Sequence, residues 1–131
     1  MAQGLLKAAV RGAGVEAIVL GDMNDFSDVY PDAAGNAPRS RVLATLADVD
    51  GDGVADLDNV MRLMAQEERW SHWWDRNRDG AIEFPREVAQ LDHVLMTPGL
   101  FGLVSAVRVD HRSGPTPSDH RPLVVDLAAP A

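Results

Sequence analysis

The chain has 131 residues, the size of one domain, and its lack of cysteine excludes disulfides and thiolate metal sites. With 46% hydrophobic residues it can bury a core, although aromatics make up only 5%. A net charge of −8 offers no basic face to displace counterions from a long nucleic acid, and it suits bound cations or a small phosphorylated ligand better. No apolar run reaches the ~20 residues of a membrane span, and Met1–Gly14, with Lys7 and Arg11 inside it, lacks the apolar stretch of a signal peptide.

Taken in chain order, Ala2–Ala13 reads as an amphipathic helix with Leu5, Leu6, Ala9 and Val10 on one face, ended by Gly12 and Gly14. Ala17–Leu20 is a short continuous apolar run, the pattern of a strand buried on both faces under covering layers. A polar loop follows through Pro31. A helix is expected from Pro38 or Ser40, with Val42, Leu43 and Leu46 as its buried stripe, then an acidic loop over Asp48–Asp58. Val60–Ala65 reads as helical, Arg69–Trp74 as a strand, and Asp75–Gly80 as a tight polar loop. Gln90–Met96 is a strand broken by Pro98-Gly99, and Val104–Val109 and Leu123–Leu127 are the last two strands, joined by the loop His111–Ser118. The class expected is α/β, a mixed sheet with flanking helices.

Three segments carry the chemistry. Gly21-Asp22-Met23-Asn24 follows the first strand, Leu91-Asp92-His93-Val94-Leu95 lies in a later one, and Ser118-Asp119-His120-Arg121-Pro122 precedes the last. Each alone is weak, because glycine and aspartate commonly form turns after strands. Their order, each beside an apolar run, is more informative. Hydrolysis of a phosphate ester needs a hard cation, a water to be deprotonated and aligned, and a stabilised leaving oxygen. Acidic residues at strand ends suit that task, since the sheet fixes them while the loop stays open.

In this order the three segments resemble the C-terminal motifs of the endonuclease/exonuclease/phosphatase superfamily, the DNase I-like metal-dependent phosphoesterases. The resemblance implies roles position by position. Asp22 orients or deprotonates the attacking water and Asn24 donates a hydrogen bond to a phosphate oxygen. Asp119 binds Mg²⁺ or Mn²⁺, His120 contacts the scissile phosphate and moves a proton, and Asp92 holds that imidazole in its working tautomer. His93 should point to the other side of its strand. The fold implied is about half of a four-layer α/β-β/α sandwich, spanning residues 1–131, with acidic insertions near 48–59 and 75–80. The family's metal-binding glutamate, in a Gln-Glu pair, should precede Gly21-Asp22-Met23-Asn24, yet the only such pair here, Gln66-Glu67, follows it. The expectation is therefore a fragment whose N-terminal half lies in cis or on another chain, acting on a phosphate ester and nearly inactive alone. Among the family's substrates the acidic charge disfavours long nucleic acid.

A competing class comes from two acidic loops. Asp48, Asp50 and Asp52, and likewise Asp75, Asn77 and Asp79, place oxygens at the first, third and fifth positions of a Ca²⁺ loop, each followed by glycine. The twelfth position is Asn59 in one and Arg86 in the other, where a Ca²⁺ loop wants an acid, and Pro85 opposes a helix leaving the second. Asn59 could give one oxygen; Arg86 cannot. Trp70, Trp73 and Trp74 are expected to pack one or two indoles in the core and one at its rim. His72 reads as a satisfied strand histidine, His111 as a loop residue, and Met61, Met64 and Met96 as core filler.

Overall fold

The computed structural model describes residues 16–112 and 118–129; the helix expected over Ala2–Ala13 and most of the loop before Ser118 lie outside them. Helices and strands are combined as expected, but among the described residues the helices are short and the strands form three small antiparallel sheets rather than one mixed sheet. The first holds β1 (Ile18–Asp22), β2 (Asp58–Asn59) and β5 (Asp92–Met96), with β5 in the middle. The second pairs β3 (His72–Trp73) with β4 (Val88–Ala89), and the third pairs β6 (Val104–Val109) with β7 (Leu123–Leu127).

Alternation along β5 sorts the core. Val94 and Met96 face one side, where they pack with Val60, Met61, Met64 and Val109 and with the apolar faces of β6 and β7. Leu95 faces the other side and packs with Leu43 of α1 (Val42–Ala47), Val49 and Leu57. The methionines thus fill the core as expected. Of the stripe expected on α1 only Leu43 is buried. The helix expected over Val60–Ala65 is a 3₁₀ turn, Val60–Leu63, capped by Asn59, whose side-chain oxygen accepts the Met61 N–H. Pro98 does not merely break β5. It opens the short helix α2 (Pro98–Phe101), where its missing N–H costs no hydrogen bond.

The expectation that β1 is buried on both faces is overturned. Its register against β5 places Ile18 opposite Met96, Leu20 opposite Val94 and Asp22 opposite Asp92. Its outer edge has no strand beside it among the described residues, and Leu20 is 67% exposed. An apolar run records what a strand can bury, not what lies over it.

The loop between β1 and α1 is fixed by two buried carboxylates. Asp25 accepts from the backbone of Phe26, Arg39 and Ser40 and from the Ser40 hydroxyl. Asp32 accepts from the backbone and side chain of Asn36 and from the Gln90 N–H. These bonds tie the loop to itself and to the start of β5.

Candidate functional site at the end of the β1–β5 ladder

Asp22 and Asp92 form the last rung of the β1–β5 ladder, so their side chains leave the same end of the same face. That face is the one on which the β6–β7 ribbon packs, and the ribbon brings the 118–122 segment to it. β3 then holds the segment by its backbone. Arg121 donates to the Ser71 carbonyl at 2.6 Å, Trp73 donates to the Asp119 carbonyl at 3.1 Å, and His72 and His120 form a bridge. Ser71, fully buried, also accepts from the backbone N–H groups of Leu91 and Asp92 through its hydroxyl. One serine therefore spaces two of the three motifs.

The side chains converge. His120 Nδ1 lies 2.6 Å from Asp92 Oδ2. A carboxylate can only accept, so Nδ1 carries the proton and Nε2 is the free nitrogen of the neutral ring. Nε2 sits 3.8 Å from Asp22 Oδ2 and 3.9 Å from Asp119 Oδ1. Burial by itself would lower the His120 pKa; the Asp92 hydrogen bond and the charges of Asp92, Asp22 and Asp119 outweigh it and raise the pKa above 6.5. Asp119 moves the other way: partial burial would raise it, and the hydrogen bond from His72 with the nearby imidazoles lowers it.

Asn24 lines the same cleft as Asp22 and His120, about 300 Å³ in volume. Its backbone N–H donates to Asp22 Oδ1 at 2.8 Å, and its φ of 51° is a left-handed conformation that asparagine tolerates. All five residues expected from the three motifs thus lie at one end of the sheet.

His93 faces away. It is 2% exposed, its Nε2–H points at the carbonyls of Asp25 and Gln90, and Asn59 Nδ2 donates to its Nδ1. Burial lowers its pKa and keeps it neutral. His111 is not a bare loop residue: its ring stacks on Trp70 at 3.9 Å between centroids. Trp70 is buried and Trp74 exposed, the split expected of the tryptophans.

His72 is a satisfied strand histidine, as expected, and it also adjoins the site. Its Nε2 lies 3.0 Å from Asp119 Oδ2 and its ring is 5.0 Å from that of His120, so it belongs to the site. Alternation along Ser71-His72-Trp73 turns His72 away from Ser71 and Trp73, but which residue it meets is set by distant partners. Asn59 does correct the sequence reading. Its oxygen caps the 3₁₀ turn and its nitrogen serves His93, so it has no oxygen to turn into the first acidic loop.

The two acidic loops share one hydrogen-bond frame. In the first, Asp48 accepts from the N–H groups of Asp52 and Gly53 and Asp52 accepts from Val54. In the second, Asp75 accepts from Asp79 and Gly80 and Asp79 accepts from Ala81. The ninth residue of each is acidic: Asp56 groups with Asp48 and Asp50, and Glu83 meets Asn77 at 2.9 Å. Arg86 is turned to Glu83.

As to cations, Mg²⁺ takes oxygen ligands and keeps several waters, and an exposed carboxylate beside an open cleft, as Asp119 is, fits one such ligand. Among the described residues no glutamate joins the metal-capable groups around His120. Neither a protein-family model nor a curated protein matches this chain.

Proposed function

We propose that the cleft at the end of the β1–β5 ladder is the C-terminal part of a metal-dependent phosphoesterase site. The observation that carries this reading is the convergence of Asp22, Asp92 and Asp119 on the His120 ring, with Asn24 lining the same cleft. Asp92 fixes the ring, so Nε2 faces the cleft. The flanking carboxylates favour the protonated ring, which can then lie against a phosphate oxygen or give its proton to a leaving group. Asp22, with one oxygen bonded to the Asn24 N–H, keeps the other for a water. Mg²⁺ or Mn²⁺ on Asp119 would neutralise phosphate charge.

The rim supports an anionic ligand. In a chain of net charge −8, Arg39, Arg76 and Arg86 line this cleft with Asp22, Glu87 and His120, Arg86 being paired to Glu83. On this reading the β1–β5–β2 sheet would belong to one half of a two-sheet sandwich, and further chain would pack on the exposed side of β1. A single carboxylate ligand is a weak hold on Mg²⁺, so turnover by these residues alone is expected to be slight.

The test is to titrate inorganic phosphate into the chain with Mg²⁺ present and follow backbone amide resonances. Shifts at Asp22, Asn24 and His120 together, lost in Asp119→Asn, are expected. Shifts elsewhere, or none up to tens of millimolar, reject the reading. Vigorous hydrolysis of a bis-aryl phosphodiester, lost in His120→Ala, would instead refute the dependence on a missing half.

A second reading rests on the acidic loops. Their matching frames and their ninth-position acids favour Ca²⁺ binding at Asp48–Asp56 and Asp75–Glu83. A pure Ca²⁺ module leaves the Asp92–His120 pair without a task, so this reading supplements the first. Calorimetry with Ca²⁺ decides it.

A further inference from the structure

We infer that His72, Asp119 and His120 form a binding site for a transition-metal ion of the zinc class. This goes beyond the phosphoesterase reading and does not depend on it. The phosphoesterase motifs call on Asp119 for a hard cation and leave His72 without a role. In the fold, however, the bridge between β3 and the 119–121 segment sets His72 opposite His120, with an Asp119 oxygen near the Nε2 of each ring.

The geometry is close to that of a loaded site. His72 Nε2 is 3.0 Å from Asp119 Oδ2, and His120 Nε2 is 3.9 Å from Asp119 Oδ1. One donor atom from each of the three residues lies within 4.8 Å of the others. Bonds of about 2.0–2.1 Å in a tetrahedral site place neighbouring ligand atoms roughly 3.3 Å apart. Donor atoms up to 4.8 Å apart must therefore draw in by as much as about 1.5 Å, within reach of side-chain rotation.

Donor chemistry selects the ion. Two imidazole nitrogens and one carboxylate suit Zn²⁺, Co²⁺, Ni²⁺ or Cu²⁺, whereas Mg²⁺ prefers an all-oxygen shell. The surroundings fit a ligating histidine as well. Asp92 takes the Nδ1–H of His120 and so presents Nε2 as a lone pair, the arrangement of a carboxylate–histidine–metal triad. At His72 the ion would replace the proton now shared between Nε2 and Asp119. The fourth position would open to the cleft, for water or for an anionic ligand.

The two readings of the cleft then exclude one another in occupancy. An ion on His120 Nε2 takes the lone pair that proton transfer uses, so a zinc-loaded chain cannot use His120 as an acid.

Co²⁺ absorption spectroscopy on the full chain tests the inference. One Co²⁺ per chain with visible d–d bands is expected, displaced by stoichiometric Zn²⁺ and unmoved by a large excess of Mg²⁺. His72→Gln and Asp119→Asn should each weaken binding at least tenfold, with far-UV circular dichroism reporting that both remain folded. Asp119 is an exposed side chain, so its variant keeps the test valid if His72→Gln fails to fold. Asp48→Asn and Asp75→Asn should leave the bands unchanged. Bands that survive in His72→Gln, or that vanish in Asp48→Asn or Asp75→Asn, overturn the assignment, as does the absence of any Co²⁺ spectrum. Phosphate shifts with Mg²⁺ in a folded His72→Gln chain would show the phosphoesterase reading standing whether or not this one does.

Discussion

Asp22 and Asp92 face each other across the final rung of the β1–β5 ladder, two carboxylates with the His120 ring beside both. Like charges directly opposed on a sheet are destabilising, and a protonated imidazole relieves them. The His120 pKa is raised, so its stabilising contribution is full below 6.5 and is lost as pH climbs through the raised value. Asp22→Asn removes the repulsion and keeps an oxygen for the Asn24 N–H. In urea unfolding at pH 9 it should gain about 0.2–1 kcal/mol. At pH 5 that gain should shrink or reverse. Equal effects at both pH values would contradict this account of the pair.

Asp25 is the residue on which the loop between β1 and α1 depends. Burial would raise its pKa, but hydrogen bonds from Arg39, Ser40 and Phe26 outweigh burial and lower it. Its contribution is therefore present above 3.8 and lost as pH falls through the depressed native value. Asp25→Ala leaves several donors without an acceptor and should cost on the order of 3 kcal/mol. Thermal unfolding at pH 7 measures it. A change below about 0.5 kcal/mol, within surface-substitution range, would mean the loop holds without it.

His93 gives the stability profile a second slope. Held neutral by burial, it binds fewer protons native than unfolded once pH drops below 6.5, so stability must fall from there downward. His93→Gln should flatten that limb below pH 6.5. It should also cost about 1–3 kcal/mol, since Asn59 and two carbonyls lose a well-placed partner. A limb of undiminished slope in the variant would assign the effect to other groups.

How far the sequence could be read follows from how local each feature is. The bounds of β6 and β7 were legible because apolar residues and flanking turns are local signals. The alternation that turns His93 away from Asp92 is equally local, and the geometry agrees. β3 is different. It is two residues long and owes its existence to partners near 89 and 120, so nothing nearby could announce that His72 meets Asp119. The exposed side of β1 and the clamping by Asp25 and Asp32 also rest on distant contacts. Asn59 is a different case: its oxygen is taken locally, by the Met61 N–H two residues on, and only its nitrogen reaches a histidine 34 residues away.

The acidic loops predict a ligand effect. Each frame holds its first aspartate by backbone N–H groups, with an acid at the ninth position aimed at the same region. Millimolar Ca²⁺ should raise the unfolding temperature by several degrees, as RT ln(1 + [L]/Kd) gives about 2.7 kcal/mol at 100 times Kd. Asp48→Asn and Asp75→Asn should each remove part of the rise. Calorimetric silence up to the millimolar range removes Ca²⁺ from the account.

The central claim is that Asp92 holds His120 with Nε2 turned toward Asp22 and Asp119. Imidazole ¹⁵N–¹H correlation spectra across a pH titration measure that directly. The account predicts a neutral His120 carrying its proton on Nδ1, a midpoint above 6.5, and a fall of that midpoint in Asp92→Asn. A proton on Nε2, or a midpoint unmoved by Asp92→Asn, would contradict it.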